Sequence, residues 1–294
     1  FFAFGGNNQQ VQVSSSRYKK INPGEHFIAS GTFNTLGYAG NNSLWVEVNP
    51  RNDQPEQYHF NNLAAVFFKV NPDITNPILD VTFDGQHILD GDIVSAKPNI
   101  VIKLKDENKF IALNDTNKYR VFLTWPDGVQ RRIHFESAPG ISTDRNKMKY
   151  TPAVLPDNSF TIEYNPVLEA DGIYKIDVQA SDESGNLSGQ YNYRISFEVI
   201  NQSTITEVVN YPNPFSTSTR FVFTLTGSEV PQQMKIQIMT VTGKIVREIF
   251  QDEIGPIHIG RNITQFAWDG KDQYGDQLAN GVYLYRVITY LNGQ

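Results

Sequence analysis

The chain of 294 residues contains no cysteine, and it has only three methionines and three tryptophans. Without cysteine it can form no disulfide, no zinc–thiolate site and no thiol nucleophile. It also cannot form a wrong disulfide while it crosses an oxidising compartment, although many cytoplasmic proteins lack cysteine as well. The absence is therefore compatible with export and excludes cysteine chemistry within this chain.

Long apolar runs and local concentrations of positive charge are also missing. No stretch approaches the ~20 apolar residues of a transmembrane helix, so no membrane span is predicted. The chain opens on Phe1-Phe2-Ala3-Phe4, without the basic segment that begins a signal peptide, and this opening is typical of the interior of a domain. The net charge is −6 and the cations are scattered along the sequence, which argues against a nucleic-acid surface.

Catalytic and metal-binding motifs are absent from the sequence as well. It contains neither H-E-x-x-H nor G-x-S-x-G, and its five histidines fall in separate segments without the short spacing of a metal site. We therefore expect a non-catalytic chain with no catalytic residue, no bound metal and no cofactor.

What the chain does contain is aromatic residues and turn formers. It has 19 Phe, 14 Tyr, 21 Gly and 15 Pro. This composition is typical of many short strands joined by tight turns. The length allows two or three domains of ~100–150 residues. The sequence predicts an all-β protein of tandem Ig-like β-sandwich domains, spanning 1–70, 71–203 and 204–294.

The first domain, 1–70, reads as the later part of a sandwich. In residues 44–48, Leu44, Val46 and Val48 share one face, and Trp45 and Glu47 share the other. Residues 64–70 are apolar on both faces, as in a central strand. Its motifs are P-G-E at 23–25, G-N-N-S-L-W-V-E-V-N-P-R-N at 40–52 and E-x-x-x-x-N-N at 56–62. Together they resemble the CARDB family, the cell-adhesion-related Ig-like domains of bacterial surface proteins. The early strands of that family are not evident, so the domain is expected to be incomplete at its N-terminal side.

The second domain, 71–203, follows a stiff junction rich in Asn and Pro. Strands are predicted at 78–83, 99–104, 119–124, 131–135, 159–164, 172–179 and 191–199, which is the strand density of an Ig-like sandwich. Residues 172–186 resemble the closing hairpin of bacterial Ig-like repeats, with a Gly-Asn turn at 185–186.

The last domain, 204–294, has a distinctive motif at each end. Y-P-N-P-F at 211–215 contains two prolines that fix φ and remove two amide donors, so an extended entry is predicted. W-D-G-K-D-x-x-G-x-x-L-A-N-G-V-Y at 268–283 is a long turn that leads into a strand at 281–290. Further strands are predicted at 219–225, 235–239, 244–250 and 264–268, with a hairpin turn at 242–244.

These two motifs, in this order, resemble the Ig-like module of flagellar hook-capping proteins and the related C-terminal sorting domain of proteins exported by type IX secretion. The resemblance covers residues 211–294 and implies a docking or structural motif. Its residues are Tyr211, Pro212, Asn213, Pro214, Phe215, Trp268, Asp269, Gly270, Asn280, Gly281 and Tyr283.

Two expectations concern the end of this domain. Asn280-Gly281 is expected to form a tight turn in which Gly281 has positive φ, so that Val at this position costs about 1–3 kcal/mol. Asn292-Gly293 after a long strand is a strong hairpin signal, so a returning strand is expected to follow.

Two kinds of ligand site are weighed against a purely structural role. Asp182, Glu183 and Asn186 offer oxygens of the kind that Ca²⁺ binds, but Asp and Asn beside a glycine also satisfy turn amides, and the turn role is favoured. A similar trio, Asp269, Asp272 and Asp276, is also assigned to a turn. Exposed aromatic rings can stack on sugars, and the possible platforms are Trp45, Tyr58, Trp125 and Tyr150, although core packing is the more usual role.

The order of the modules resembles the tail of gingipain-like cysteine peptidases and of the type IX secretion sortase family. The resemblance implies a secreted or cell-surface protein, associated with the outer membrane, whose partners are outer-membrane or secretion-system proteins. No catalytic residue of that family carries over, because this chain has no cysteine. The alternative is a carbohydrate-binding accessory region of a surface glycoside hydrolase. A flagellar hook cap is disfavoured, because there the module is not preceded by two sandwiches.

Overall fold

The computed structural model describes residues 2–4, 10–13, 17, 21–136 and 146–290. Nearly all of its regular structure is β, as the composition predicts, and the expected all-β class with β-sandwich domains is confirmed. The chain divides into two compact units, 1–75 and 76–294. Among the described residues, no helix is long and apolar enough to cross a membrane.

Unit 1–75 contains one antiparallel sheet with the order β2-β1-β3-β4. The strands are β1 (Phe2–Phe4), β2 (Gln10–Gln12), β3 (Gly40–Glu47) and β4 (Leu63–Val70). None of the hydrophobic side chains described in this unit is fully buried, and Phe67 is 77% exposed. The described part of this unit is thus a single sheet without a closed core.

Unit 76–294 begins with a sandwich whose nine strands form one sheet, ordered β5-β7-β11-β10-β9-β8-β12-β13-β6. The strands are β5 (Ile78–Phe83), β6 (Asp92–Val94), β7 (Ile100–Lys105), β8 (Tyr119–Thr124), β9 (Gln130–Phe135), β10 (Lys147–Thr151), β11 (Ser159–Tyr164), β12 (Gly172–Ala180) and β13 (Tyr193–Val199). The sheet folds over at the parallel pair β9–β10, and alternate residues such as Ile102, Val121 and Ile176 fill one continuous core.

The last sandwich consists of two three-stranded sheets, β14-β15-β18 and β17-β16-β19. The strands are β14 (Ile205–Tyr211), β15 (Arg220–Leu225), β16 (Gln233–Thr240), β17 (Ile245–Ile249), β18 (Gly260–Ile263) and β19 (Tyr283–Tyr290), with a short helix α1 (Gln251–Ile254) after β17. Phe221, Phe223, Ile236 and Trp268 lie in its separate core.

Several strand predictions need correction. The predicted strand 264–268 is wrong: the strand is β18, at 260–263, and Trp268 only forms an isolated bridge to Thr219. Four further elements, β6, β10, β14 and α1, were not predicted from the sequence. β6 is a short strand that pairs in parallel with β13, and β10 is a short strand between the parallel partner β9 and the antiparallel partner β11, so the conformation of each depends on its partners.

Candidate docking surface of the last sandwich

The two motifs of the last sandwich meet at Trp268. Its indole is 4% exposed and lies between Phe215 and Tyr283, with ring centroids at 5.5 and 5.7 Å. The indole Nε1 donates to the Lys271 carbonyl at 2.8 Å, which ties the ring to the turn that follows it. The backbone of Trp268 pairs with Thr219 in both directions. The aromatic residues at the two ends of the resemblance therefore form one packed cluster.

The entry to this cluster bends rather than running straight. Tyr211 is the last residue of β14, and residues 212–214 are bends that bring Phe215 against the core. Thr219 Oγ1 donates to the Pro212 carbonyl at 2.8 Å and is within 3.2 Å of Asn210 Nδ2. The predicted extended entry holds only as far as Tyr211, because the packing of Phe215 on Trp268 requires the chain to turn inwards.

The long turn after Trp268 is held by its own polar groups. Asp269 accepts from the Lys271 amide at 3.2 Å and pairs with the Lys271 ammonium at 3.1 Å. Burial by itself would raise the pKa of Asp269, but the contacts to Lys271 together lower it. Gly270 has φ +79, and its carbonyl accepts from the Leu278 amide at 3.1 Å. Asp272 accepts from two turn amides, those of Tyr274 and Asp276, at 2.9 Å each, so it has the turn role assigned to it.

The expectation for Gly281 is wrong. Its φ lies outside the left-handed region, and a Cβ added to it meets no heavy atom within 4 Å. Positive φ occurs at Gly270 and Gly275, earlier in the same turn. Residues 280 and 281 form an exposed bend before β19. The sequence did hold a signal for this outcome, because the long turn contains two other glycines, Gly270 and Gly275, that can adopt positive φ.

Strand β19 has one face in the core and one outside. Tyr285 packs on Phe221 at 5.0 Å, and its hydroxyl donates to the Val208 carbonyl at 3.1 Å. Tyr283 shares this inner face, and its hydroxyl donates to the Ala279 carbonyl at 2.8 Å. Leu284 and Arg286 lie on the outer face, which is the alternation that the sequence predicts.

A polar ladder crosses the outer face of this sheet. Arg286 Nε donates to Gln237 Oε1 at 2.7 Å, and Gln237 Nε2 donates to Glu248 Oε1 at 2.5 Å. Lys235 Nζ completes the ladder at 3.1 Å from Glu248 Oε1. The bonds from Gln237 and Lys235 hold the pKa of Glu248 below its ordinary value of 4.5. The ladder joins β17, β16 and β19 side by side.

Beside this ladder, β19 presents apolar side chains and a free edge. Val282, just before the strand, is 73% exposed, and Leu284 and Tyr290 of the strand are exposed as well. β19 is an edge strand, and none of its described residues pairs with any strand other than β16. Edge strands of this kind are templates for pairing with another strand. The expected return strand after Asn292-Gly293 lies outside the described residues.

The sandwich formed by β5 to β13, which we call the second sandwich, is joined to the last sandwich by main-chain hydrogen bonds. Gly227 donates from its amide to the Ile200 carbonyl at 2.9 Å, and its carbonyl accepts from the Ala96 amide at 3.2 Å. A Cβ on Gly227 would lie 2.4 Å from Ser203 Oγ, so only glycine fits this approach. A Cβ on Gly260 would lie 2.7 Å from the Ile93 carbonyl oxygen of β6, so this approach is also too close for a side chain.

A cavity of about 80 Å³ lies beside this junction and is lined by His87, Asp92, His258 and Arg261, among others. Burial lowers the pKa of His258. A linker was predicted at this junction. No local sequence pattern indicated that Gly227 and Gly260 lie so close to the second sandwich.

No protein-family model matches the chain, and no curated protein matches it. Among solved structures, the chain is similar to one from Porphyromonas gingivalis described as the crystal structure of dimeric latent PorU. The match has a TM-score of 0.30 and 17% sequence identity, and it covers 86% of this chain and 22% of that one. This chain therefore spans under a quarter of that protein's length, and a similarity at this level carries no argument about function.

The acidic turn of the second sandwich has the expected turn geometry. Asp182 Oδ1 accepts from the Asn186 amide at 2.7 Å, and its Oδ2 accepts from Asn186 Nδ2 at 2.8 Å. Glu183 Oε1 accepts from the amides of Asn114 and Asp115. A carboxylate oxygen of Asp106, also buried, lies within 4.8 Å of one of Asp182. These contacts agree with the turn role that the sequence analysis favoured over a Ca²⁺ role.

The candidate sugar platforms are in different environments. Trp125 and Tyr150 are half-buried against the core of the second sandwich, Trp125 beside Tyr174 and Tyr150 stacked on Phe160 at 5.7 Å. Trp45 is half-buried in β3, whereas Tyr58 is exposed and lies beside Phe60, which is more exposed still. Trp125 and Tyr150 pack against a core, whereas Trp45 and Tyr58 belong to the unit 1–75.

Proposed function

We propose that this chain is a non-catalytic, Ig-like C-terminal region of a large secreted or cell-surface bacterial protein, and that its last sandwich serves export through, or docking onto, the type IX secretion machinery. The proposal rests on the resemblance of residues 211–294 to type IX sorting domains. The observation that supports it most is the packing of Phe215, Trp268 and Tyr283 into one cluster, because separate motifs of the resemblance then belong to one folded module.

The docking surface in this proposal is the outer face and free edge of β19. The motif cluster places the start of this strand, through Tyr283, and the polar ladder stiffens the sheet around it. Leu284 and Tyr290 stay exposed beside the edge, and an extended segment of a partner protein can add to such an edge by main-chain hydrogen bonds. The partners expected are outer-membrane or secretion-system proteins.

The test is a fusion of the whole chain, with any native residues that follow Gln294, to a periplasm-targeted fluorescent protein. It is expressed in a type IX-competent host and in the same host without the secretion channel. Export or docking predicts fluorescence at the cell surface in the first host and in the periplasm in the second. Equal distribution in the two hosts would contradict the proposal.

A matched pair of variants separates docking from folding. Leu284→Glu places a charge on the outer face of β19, and we expect it to reduce surface fluorescence several-fold. Ile263→Glu makes the same change at a similarly exposed position on β18, in the other sheet, and we expect no effect. If the two variants behave alike while both remain folded, β19 is not the docking strand.

A further inference from the structure

Four cations from separate parts of the chain lie on one outward face of the second sandwich. Arg120 is on β8, Arg132 on β9, Lys175 on β12 and Arg194 on β13. Each cation is next to a residue that is buried in the core, namely Val121, Ile133, Ile176 and Ile195 respectively. Because side chains alternate between the two faces of a strand, the four cations share the solvent side. We call the outward side chains of these four strands the basic face.

The strand register places these cations close together. Arg132 is opposite Phe122, Phe122 is opposite Asp177, and Asp177 is opposite Arg194. With ~4.8 Å between neighbouring strands, this row spans ~14 Å. Arg120 is two residues from Phe122 along β8, and Lys175 is two residues from Asp177 along β12. The two cations therefore lie in the rows on either side of this one. The basic face is thus one patch.

The acidic groups of the basic face do not balance this charge. The Asp177 side chain is only 7% exposed, and its carboxylate is covered by Arg194 Nε at 2.8 Å and Asn192 Nδ2 at 2.9 Å. The other carboxylate of the face is Glu198, which is half-buried at the edge of the face, opposite Ile173.

The other three cations of the face form no salt bridge with any described residue. All three, Arg120, Arg132 and Lys175, are exposed. This local excess occurs in a chain with 31 acidic and 25 basic residues. Ordinary solubility of an acidic protein does not require such a patch, and a negatively charged partner would complement it.

A depression of about 500 Å³ opens between Lys175 and Arg194. Thr124, Gln130 and Ser196 also line it, and they supply hydroxyl and amide groups beside the two cations. Among the described residues of its wall, Ile173 is the only large aliphatic side chain. This lining can bond the hydroxyl groups of a saccharide and pair with a carboxylate or sulfate group at the same time.

We propose that the basic face binds an anionic polysaccharide. Single-stranded nucleic acids are usually held by several aromatic rings on which the bases stack, whereas the described rings of this face are the half-buried Phe122 and the single imidazole of His134. Lipid surfaces are bound with the help of a protruding apolar side, which this face lacks. The inference is independent of the type IX proposal, because it concerns a different sandwich and a different ligand.

The test is affinity electrophoresis of the whole chain at about 50 mM NaCl, where screening of exposed charges is weak. The probes are polygalacturonate, heparin and neutral dextran, with single-stranded DNA and anionic vesicles as competitors. We expect retardation by both anionic polysaccharides, none by dextran, and no displacement by equal charge concentrations of DNA or vesicles. Absence of retardation by both anionic polysaccharides, or stronger binding of either competitor, would overturn the proposal.

Two triple variants with the same change in net charge locate the site. Arg120→Gln/Arg132→Gln/Lys175→Gln should bind about tenfold more weakly and reduce the slope of log affinity against log salt by about 2, by the counterion-release argument. Lys103→Gln/Lys105→Gln/Lys109→Gln changes exposed lysines elsewhere on the same sandwich and should bind within about twofold of the unmodified chain. Equal losses of affinity in the two variants would show that only the net charge matters, and would refute binding at the basic face.

Discussion

Replacement of Trp268 by alanine tests whether the motif cluster is the centre of the last sandwich. The indole is almost fully buried and contacts the rings of Phe215 and Tyr283. Removal of a buried Trp or Phe side chain typically costs about 3–5 kcal/mol, because the apolar contacts are lost and a cavity remains. The bond from Nε1 to the Lys271 carbonyl adds little, since Lys271 is exposed and water can replace the donor. We expect a loss of about 4 kcal/mol.

A loss of this size is a large part of the stability of an ordinary domain, about 5–15 kcal/mol. It corresponds to roughly a thousandfold change in the opening equilibrium. Hydrogen exchange, measured by mass spectrometry on peptides from β16 and β19, reports the loss of amide protection in the strands of the affected core. The Trp268→Phe variant keeps one ring in place, and we expect it to lose only about 1–2 kcal/mol.

The location of the effect decides the interpretation. Protection of β12, in the core of the second sandwich, should change much less than protection of β16 and β19, because the two cores are separate clusters. A Trp268→Ala chain whose β19 amides stay within about 1 kcal/mol of the original protection would refute the reasoning. An equal loss in β12 would show that the indole supports the whole unit rather than one sandwich.

Three further predictions follow from the same structure. Gly270→Ala should cost about 1 kcal/mol in urea denaturation because its φ is positive, whereas Gly281→Ala should be neutral within about 0.5 kcal/mol; the reverse order would restore the original turn assignment. Glu248 has a lowered pKa, so its stabilising contribution is present above pH 4.5 and is lost as the pH falls through the folded-state pKa. Glu248→Gln should flatten this part of the acid-denaturation curve. An unchanged curve would show that the polar ladder does not stabilise the sheet. EDTA should leave the melting temperature unchanged within about 2 °C, whereas a larger fall would assign an ion to Asp106 and Asp182.

Much of the strand pattern could be predicted because it depends on local alternation. The ranges 78–83, 119–124 and 159–164 agree with β5, β8 and β11, since in each the apolar side chains alternate towards one core. The hairpin turn at Gly243 also follows from local chemistry, as its φ of +85 suits glycine. Short strands such as β6 have no alternation long enough to detect.

The candidate surface could be predicted only in part. The motif residues Phe215, Trp268 and Tyr283 were identified from the sequence, and their placement in one cluster follows from strand pairing between distant segments. Gly281 was assigned a strained turn conformation that two other glycines of the loop adopt instead. A choice among several glycines in one loop depends on the full path of the loop, which local propensity does not determine.

The all-β class, the main strands and the turn chemistry follow from the amino-acid sequence, because they depend on side-chain periodicity over a few residues. Which distant groups meet depends on the tertiary fold. The close contact of Gly227 with Ile200 and Ala96 makes a junction where the sequence indicated a linker. The cations of the basic face are scattered in sequence, and strand register alone gathers them, because pairing fixes which residues are neighbours across a sheet.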